Sequence, residues 1–148
     1  MSLQKQVMEQ MKIAMKSKDK VALESLRALK SAFLLANTSR SDVTLSEEDE
    51  IKIVQKLVKQ RKDSATIFNE QNRNDLAEPE LAQAKILEQF LPAQMNEEEL
   101  KNAISAIVKQ TGATSMKDMG KVMGIASKQL AGKADGKAIS MVVKGLLS

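Results

Sequence analysis

Apolar residues recur with the period of an α-helix along almost the whole chain, and this pattern limits the fold more than any other feature of the sequence. Ile51, Val54, Val58 and Ala65 are separated by three, four and seven positions, which places them on one face of a helix with about 3.6 residues per turn. The sequence lacks the alternating β-branched or aromatic runs, bounded by turns, that are typical of strands. We therefore predict an all-α protein.

The periodic segments and the residues that flank them predict seven helices. Ser, Asp or Asn precedes each apolar stripe, and these side chains accept hydrogen bonds from the first amides of a helix. Three of the starts also have an acid three positions later, as in a capping box. The predicted N-caps are Ser2, Asp19, Ser46, Asp75, Asn96, Ser115 and Asp135. The predicted ends of the first six helices are Ser17–Lys18, Asn37, about Gln71, Pro92, Gly112 and Gly132.

The segment LPAQM, residues 91–95, is the best candidate for a domain boundary, since a proline disfavours helix in the residue before it. We predict a four-helix bundle over residues 1–92 and a three-helix bundle over residues 96–148. Residues 37–45 are polar and predict a loop, and short connections favour compact bundles. Pro79 is expected in or near the first turn of the fourth helix, where its missing N–H is tolerated.

Several residue types are missing, and their absence excludes many kinds of chemistry. The chain has no His, Cys, Trp or Tyr and three Phe. It therefore has no thiolate nucleophile, disulfide or thiolate metal site, and it lacks the commonest general base. We predict no catalytic residue, no metal site and no cofactor. No segment has the apolar length of a signal peptide or a membrane span, so a cytoplasmic protein without a membrane partner is expected.

The basic character of the chain belongs to its C-terminal third. From Leu100 onward there are 8 Lys against Asp118 and Asp135, whereas the formal charge of the whole chain is +4. Helical geometry places the lysines of the last two helices opposite the apolar stripes. They are either a solvated face or a surface that binds a polyanion. The six candidates are Lys117, Lys121, Lys128, Lys133, Lys137 and Lys144.

The type of polyanion can be narrowed. Proteins that bind single strands without sequence preference stack bases on aromatic side chains, and this segment has none. Lysine is a point-charge ligand for phosphate and does not read bases in a bidentate manner. The surface therefore suits the backbone of a folded or double-stranded nucleic acid.

Gly120 and Gly124 stand among these lysines and have two interpretations. A phosphate-binding P-loop is excluded, because Gly112 and Gly120 are eight positions apart and Val122 follows Lys121, where the motif needs Ser or Thr. The favoured interpretation is close packing of a neighbouring helix against the bare backbone. The other is close approach of a ligand backbone, which would make both glycines part of the polyanion-binding surface.

The N-terminal bundle contains polar residues next to an apolar stripe. Arg61, Asp63, Ser64 and Arg73 are interpreted as a polar cluster between helices, with a partner-binding role as the alternative. The acidic run Glu47–Glu50 is interpreted as the charge preference of a helix N-terminus. No Gly-rich strained loop supports a Ser–Lys amidase site.

Three stretches carry a resemblance to a known family. These are KQRKDSATIFNEQNRNDLAEPE with ILEQFLP, TGATSMKDMGKVMG, and GKADGKAIS through VVKGLLS. Together with their spacing they resemble the GatB/YqeY family, specifically its stand-alone YqeY-like proteins, over nearly the whole chain. Pro79 departs from the charged residue that is usual at that place in the family.

The resemblance implies two helical bundles, the second similar to the tail domain of the B subunit of glutamine-dependent tRNA amidotransferases, which contacts the body of tRNA. It also carries a label of carbon–nitrogen ligation with glutamine as amide donor, although none of the catalytic parts is present here. We expect a non-catalytic accessory module that binds tRNA or another structured RNA. The alternatives are an adaptor that docks on an amidotransferase or another tRNA enzyme, and an enzyme in its own right. The sequence does not indicate an oligomeric state.

Overall fold

The structure is a computed structural model that describes residues 2–39 and 44–148. Within these ranges the regular secondary structure is helical, which confirms the predicted all-α class and the seven α-helices. A turn of 3₁₀ helix, Met116–Asp118, precedes the sixth helix. The α-helices are α1 (Leu3–Ser17), α2 (Lys20–Ser39), α3 (Glu47–Glu70), α4 (Asn74–Glu88), α5 (Glu97–Thr111), α6 (Met119–Gln129) and α7 (Gly136–Leu147).

Five of the predicted N-caps are confirmed by hydrogen bonds from backbone amides. The hydroxyl of Ser46 accepts from the N–H of Asp49 at 3.1 Å, and the Asp49 carboxylate accepts in return from the N–H of Ser46 at 3.4 Å. This reciprocal pair is the predicted capping box. The side chains of Ser2, Asp19, Asn96 and Asp135 likewise each accept from the amide three positions later.

The fourth helix differs from the prediction at its start. Asp75 is not the N-cap: α4 begins at Asn74, and Arg73 precedes it without a side-chain cap. The Asp75 carboxylate instead accepts two hydrogen bonds from the Arg73 guanidinium, at 3.1 and 3.0 Å. Pro79 is the sixth residue of α4, so it lies in the second turn and removes the amide that would bond to the Asp75 carbonyl.

The loop predicted over residues 37–45 is shorter at its start than expected, because α2 continues through Asn37 to Ser39. Its central part, residues 40–43, lies outside the described residues. Leu45 follows and is 6% exposed, packed into the N-terminal core.

The helices form two units, one ending at Leu91 and the other beginning at Pro92. In each unit the apolar stripes meet in a separate core, because burial of apolar surface is the main favourable term in folding. The N-terminal core consists of Val7, Ala14, Ala22, Leu26, Leu29, Phe33, Leu45, Val54, Val58, Ala84, Leu87 and Phe90. The C-terminal core consists of Leu100, Ile104, Ile107, Val122, Ala126, Leu130, Ile139, Val143 and Leu147.

Glu50 is a buried acid that the sequence interpretation missed. It belongs to the acidic start of α3, but it is 5% exposed and its carboxylate interacts with the backbone N–H groups of Gln4 and Leu3 in the first turn of α1. Among the described residues, its Oε2 atom has no hydrogen-bond partner. Burial raises the pKa of the Glu50 carboxyl above its ordinary value, and the two amides offset part of that effect.

A Glu50→Gln variant should therefore gain stability relative to the wild type as pH rises. The raised pKa means that the wild type has its full stability below the pKa of the unfolded chain and loses some of it as pH rises through the folded pKa. Urea unfolding of both proteins at pH 4 and pH 7 measures this difference. The same exchange at exposed Glu78 is the control, and a Glu50→Gln effect that does not change between the two pH values would contradict the assignment.

Candidate nucleic-acid interface

The sixth helix begins later than the sequence predicted, so that Lys117 lies before the helix and not in its first turn. Ser115 precedes the 3₁₀ turn without a side-chain cap, so it does not cap α6. Asp118 does not complete a capping box either: its carboxylate accepts from the N–H of Thr114 at 3.1 Å. Lys117 therefore lies in the 3₁₀ turn, whereas Lys121 and Lys128 lie on α6.

All six candidate lysines are exposed. The salt bridges between described residues join Glu48 with Lys52, Glu88 with Lys62, and Asp75 with Arg73, and all three pairs belong to the N-terminal unit. Within the described ranges, the candidate lysines thus have no acidic partner. The two acids nearest to them in sequence accept hydrogen bonds from backbone amides instead. The positive charge of this part of the chain is left unneutralised.

Gly120 and Gly124 lie in open space. Both are exposed, and a Cβ atom built on either would meet no other described residue within 4 Å beyond its chain neighbours and its own helix backbone. The favoured interpretation, that these glycines allow another helix of the unit to pack closely, is therefore wrong. At about 100° per residue they lie opposite the buried Val122 and Ala126, next to Lys121 on the outer face of α6.

The lysines of α7 lie on one flank of that helix. Lys137 and Lys144 are seven positions apart, which separates them by about 20° around the axis. The other flank, with Val142, lines an apolar groove of about 420 Å³ against Leu100 and its neighbours on α5. Since α7 also packs on α6, its two lysines lie on the flank that faces the α6 side of the unit.

Lys133 lies in a connection whose backbone is fixed by the start of the C-terminal unit. The side-chain amide of Gln94 donates to the carbonyl of Gly132 at 2.6 Å, and the N–H of Met95 donates to the carbonyl of Lys133 at 2.9 Å. Gly132 is in the left-handed region, with a φ of 79°, which glycine adopts without strain. Gln94 and Met95, from the segment predicted as a domain boundary, therefore hold the α6–α7 connection in place.

We define the lysine–glycine face as the exposed outer side of α6 with the adjoining 3₁₀ turn, connection and α7 flank. All of its members are exposed. Among the described residues, its lysines have no acidic partner, and its glycines have no neighbouring element packed against them. The members are Lys117, Gly120, Lys121, Gly124, Lys128, Lys133, Lys137 and Lys144. Such a face presents separated positive charges around a strip of bare backbone.

The four residues suggested as a polar or partner-binding cluster in the N-terminal unit differ in their burial and in their contacts. Arg61 is half-buried and donates to Oε1 of Gln83 on α4 at 3.2 Å, while Arg73 pairs with Asp75 at the start of α4. Ser64 is half-buried on α3, and Asp63 is exposed, about 160° around the helix from Arg61. Arg61 thus connects α3 with α4, whereas Asp63 lies on another side of α3.

Arg61 belongs to a chain of polar contacts across three helices. Gln83, which accepts from Arg61, donates through its Nε2 atom to Oε2 of Glu24 on α2 at 3.3 Å. Arg61 also donates to the carbonyl of Leu57 at 3.3 Å. These contacts link α2, α3 and α4, and neither Gln83 nor Glu24 was identified from the sequence because neither stands in a recognisable motif.

Within residues 2–39 and 44–148, no group of three or more His, Cys, Asp or Glu side chains is placed to hold a metal ion. None of the described helices has both the length and the apolar composition needed to cross a membrane.

Comparison with known proteins identifies the family. The chain matches the Yqey-like protein family over residues 4–147, which is nearly the full length of its 148 residues. The match spans both of the units described above. The chain belongs to this family, which confirms the resemblance found in the sequence. Membership links it to GatB-like proteins.

A relative is found in fission yeast. An uncharacterized protein of Schizosaccharomyces pombe is 34% identical over 91 residues, which cover 62% of this chain and 73% of the relative. The match supports the family assignment without adding an activity.

Replacement of the two exposed glycines by alanine should stabilise the C-terminal unit. Gly124→Ala should raise its free energy of unfolding by about 0.5–1 kcal/mol, since alanine is the better helix former and has room here. Gly120→Ala, in the first turn of α6, should have a smaller effect. Gly112, with a φ of 68°, is the control, because alanine there is strained. Thermal unfolding measures all three variants, and a loss of stability at Gly124 would restore the packing interpretation.

Proposed function

We propose that this protein is a non-catalytic accessory module that binds tRNA or another structured RNA through the lysine–glycine face. The observation that carries the proposal is the combination of exposed, unpaired lysines with two glycines that have no packing role. Glycine in a helix costs about 1 kcal/mol relative to alanine. A face that keeps two of them in open space is suited to close approach by a ligand.

The chemistry of the face favours the backbone of a nucleic acid. Lys is a flexible point charge that pairs with phosphate, and the exposed strip of Gly120 and Gly124 leaves room for a sugar–phosphate chain to contact the helix. The C-terminal unit contains no aromatic residue, so it has no platform on which to stack unpaired bases. These features support recognition of a folded or double-stranded RNA by its shape and charge.

Family membership supports tRNA as the target. The relation to GatB-like proteins connects the C-terminal unit with the tail domain that the sequence resembles. The family carries a reaction label, carbon–nitrogen ligation with glutamine as donor. The lysine–glycine face consists of lysines and glycines, which do not form a set of candidate catalytic groups for that reaction. In this proposal the chemistry belongs to another protein.

The adaptor alternative is less well supported at the place first suggested for it. Arg61 donates to Gln83 and Arg73 donates to Asp75, so both guanidinium groups already have partners within their own unit.

Reversal of two lysines should weaken tRNA binding and its salt dependence. If all six lysines contact phosphates, the affinity of the wild type should fall about a thousandfold between 50 and 200 mM salt. Lys121→Glu with Lys128→Glu should weaken binding to all tRNAs alike and reduce the slope of log K against log salt by about two. Filter binding or fluorescence anisotropy over this salt range measures both quantities.

The matched control for this experiment is Lys101→Glu with Lys109→Glu. Both residues are exposed on α5 of the same unit and have no acidic partner among the described residues, and the change in net charge is identical. The control should retain most of the affinity. Equal loss in both double variants would show that net charge, and not this face, determines binding; no loss in either would reject the proposal.

A further inference from the structure

The outer side of the α1–α2 pair carries exposed apolar side chains that are not part of the N-terminal core. Met8 and Met15 on α1 are 44% and 53% exposed, and Leu34 on α2 is 61% exposed. The stripe of α1 that faces the core, with Val7 and Ala14, is buried separately. These three side chains are therefore separate from the core-facing stripe, and the exposed Ile13 and Leu35 lie elsewhere around the same two helices.

The register of the two helices places these three side chains in a strip along their seam. The helices pack against each other and are antiparallel, since they are joined by a tight turn at Lys18. At their far end, Nδ2 of Asn37 donates to Oε1 of Gln4 at 3.4 Å. Counted from that bond at about 1.5 Å per residue, Met8 and Leu34 are about 6 and 4.5 Å along their helices. They therefore stand at nearly the same level.

Basic residues occupy the next two levels of the seam. By the same count, Lys12 is level with Lys30, and Arg27 is level with Met15. All three basic side chains are exposed. On each helix, the residues of the strip fall within an arc of about 60°. We call this strip the α1–α2 face: Met8, Lys12, Met15, Arg27, Lys30 and Leu34.

The charge of this half of the unit is not neutralised. Residues 2–39 contain seven Lys and Arg against three Asp and Glu, whereas residues 44–91 contain seven against ten. The salt bridges between described residues involve no Lys or Arg of α1 or α2. Glu9 and Glu24 lie outside the arcs of the α1–α2 face, and Glu24 accepts from Gln83 on α4.

We propose that the α1–α2 face binds an acidic amphipathic helix of a partner protein. The seam between two antiparallel helices can receive a third helix, whose apolar stripe would cover Met8, Met15 and Leu34. Methionine adapts to irregular partner surfaces, and the interleaved Lys12, Lys30 and Arg27 complement Asp and Glu on the flanks of the incoming helix.

Two other occupants fit the α1–α2 face less well. Nucleic acid makes use of the positive charges through its phosphates, but three exposed apolar side chains contribute nothing to such contacts. A membrane surface favours faces with aromatic residues at the interface. The three aromatic residues of the chain are Phe33 and Phe90, which are buried, and Phe68, which is half-buried. The combination of methionine, leucine and basic residues favours a peptide helix.

A synthetic peptide tests the proposal directly. The probe is an 18-residue helical peptide with Leu at positions i, i+3, i+4 and i+7 and Glu on both flanks; its control has Lys in place of every Glu. The full-length chain is labelled at its methionine methyl groups, of which there are nine. We expect the acidic probe to shift the Met8 and Met15 signals, and the basic control to shift neither. Shifts confined to Met116, Met119, Met123 and Met141 of the C-terminal unit would overturn the proposal.

Variants separate charge from apolar contact. Lys12→Glu with Lys30→Glu should weaken the acidic probe about tenfold, and Met15→Gln with Leu34→Gln should weaken it to a similar degree. Lys56→Glu with Lys59→Glu, at exposed positions of α3 in the same unit, is the charge-matched control and should bind as the wild type does.

Unchanged affinity in either test variant would overturn the proposal. Loss of tRNA binding, or of binding to vesicles of phosphatidylcholine and phosphatidylserine, without loss of peptide binding in Lys12→Glu with Lys30→Glu would assign the face to nucleic acid or membrane instead. The variants do not alter the lysine–glycine face, so this test is independent of the proposed function.

Discussion

Burial of one apolar stripe per helix is the interaction on which the rest of the structure depends. The stripe of Val122 and Ala126 on α6, continued by the C-cap residue Leu130, is 0–5% exposed. Once this stripe is buried, helical geometry fixes the direction of every other side chain of the helix. Lys121, Lys128 and the two glycines are thereby turned outward. The candidate RNA-binding face is thus a consequence of the core, and its lysine side chains make no ion pair among the described residues.

The same separation holds in the N-terminal unit, where it is less complete. The core-facing stripe of α1 is buried, yet Met8 and Met15 remain exposed on the adjoining flank. Polar contacts connect the helices of this unit through Arg61, Gln83 and Glu24. In α6, burial of the apolar stripe is enough to explain which side chains are exposed. The α1–α2 face, in contrast, has exposed apolar residues that packing within the unit does not account for.

Features that depend on neighbours in sequence were predictable. An N-cap involves a side chain and an amide three positions later, so Ser2, Ser46 and Asn96 could be recognised from local spacing. The exposure of the lysines on α6 and α7 followed from the helical period in the same way. At Asp75 and Ser115 the local rule failed: Asp75 pairs with Arg73, and a 3₁₀ turn intervenes after Ser115.

Features that depend on distant residues were not predictable. Nothing near Glu50 in sequence indicates that it meets the start of α1, and nothing near Gln94 indicates a bond to Gly132. The interpretation of Gly120 and Gly124 required the positions of the other helices, because the same spacing suits both packing and an open face. In the structure both glycines face open space, which rules out packing by another helix of the unit and leaves them on the exposed face.

RNA binding in this proposal takes place at the open face, and not on the opposite side of the C-terminal unit. Titration of the ¹⁵N-labelled chain with tRNA distinguishes the two, since the six glycines give a small and well-separated set of amide signals. We expect the Gly120 and Gly124 signals to shift or broaden first and to recover at high salt, while Gly145, which lines the apolar groove between α5 and α7, is unaffected. Changes at Gly145 with none at Gly120 and Gly124 would contradict the proposal.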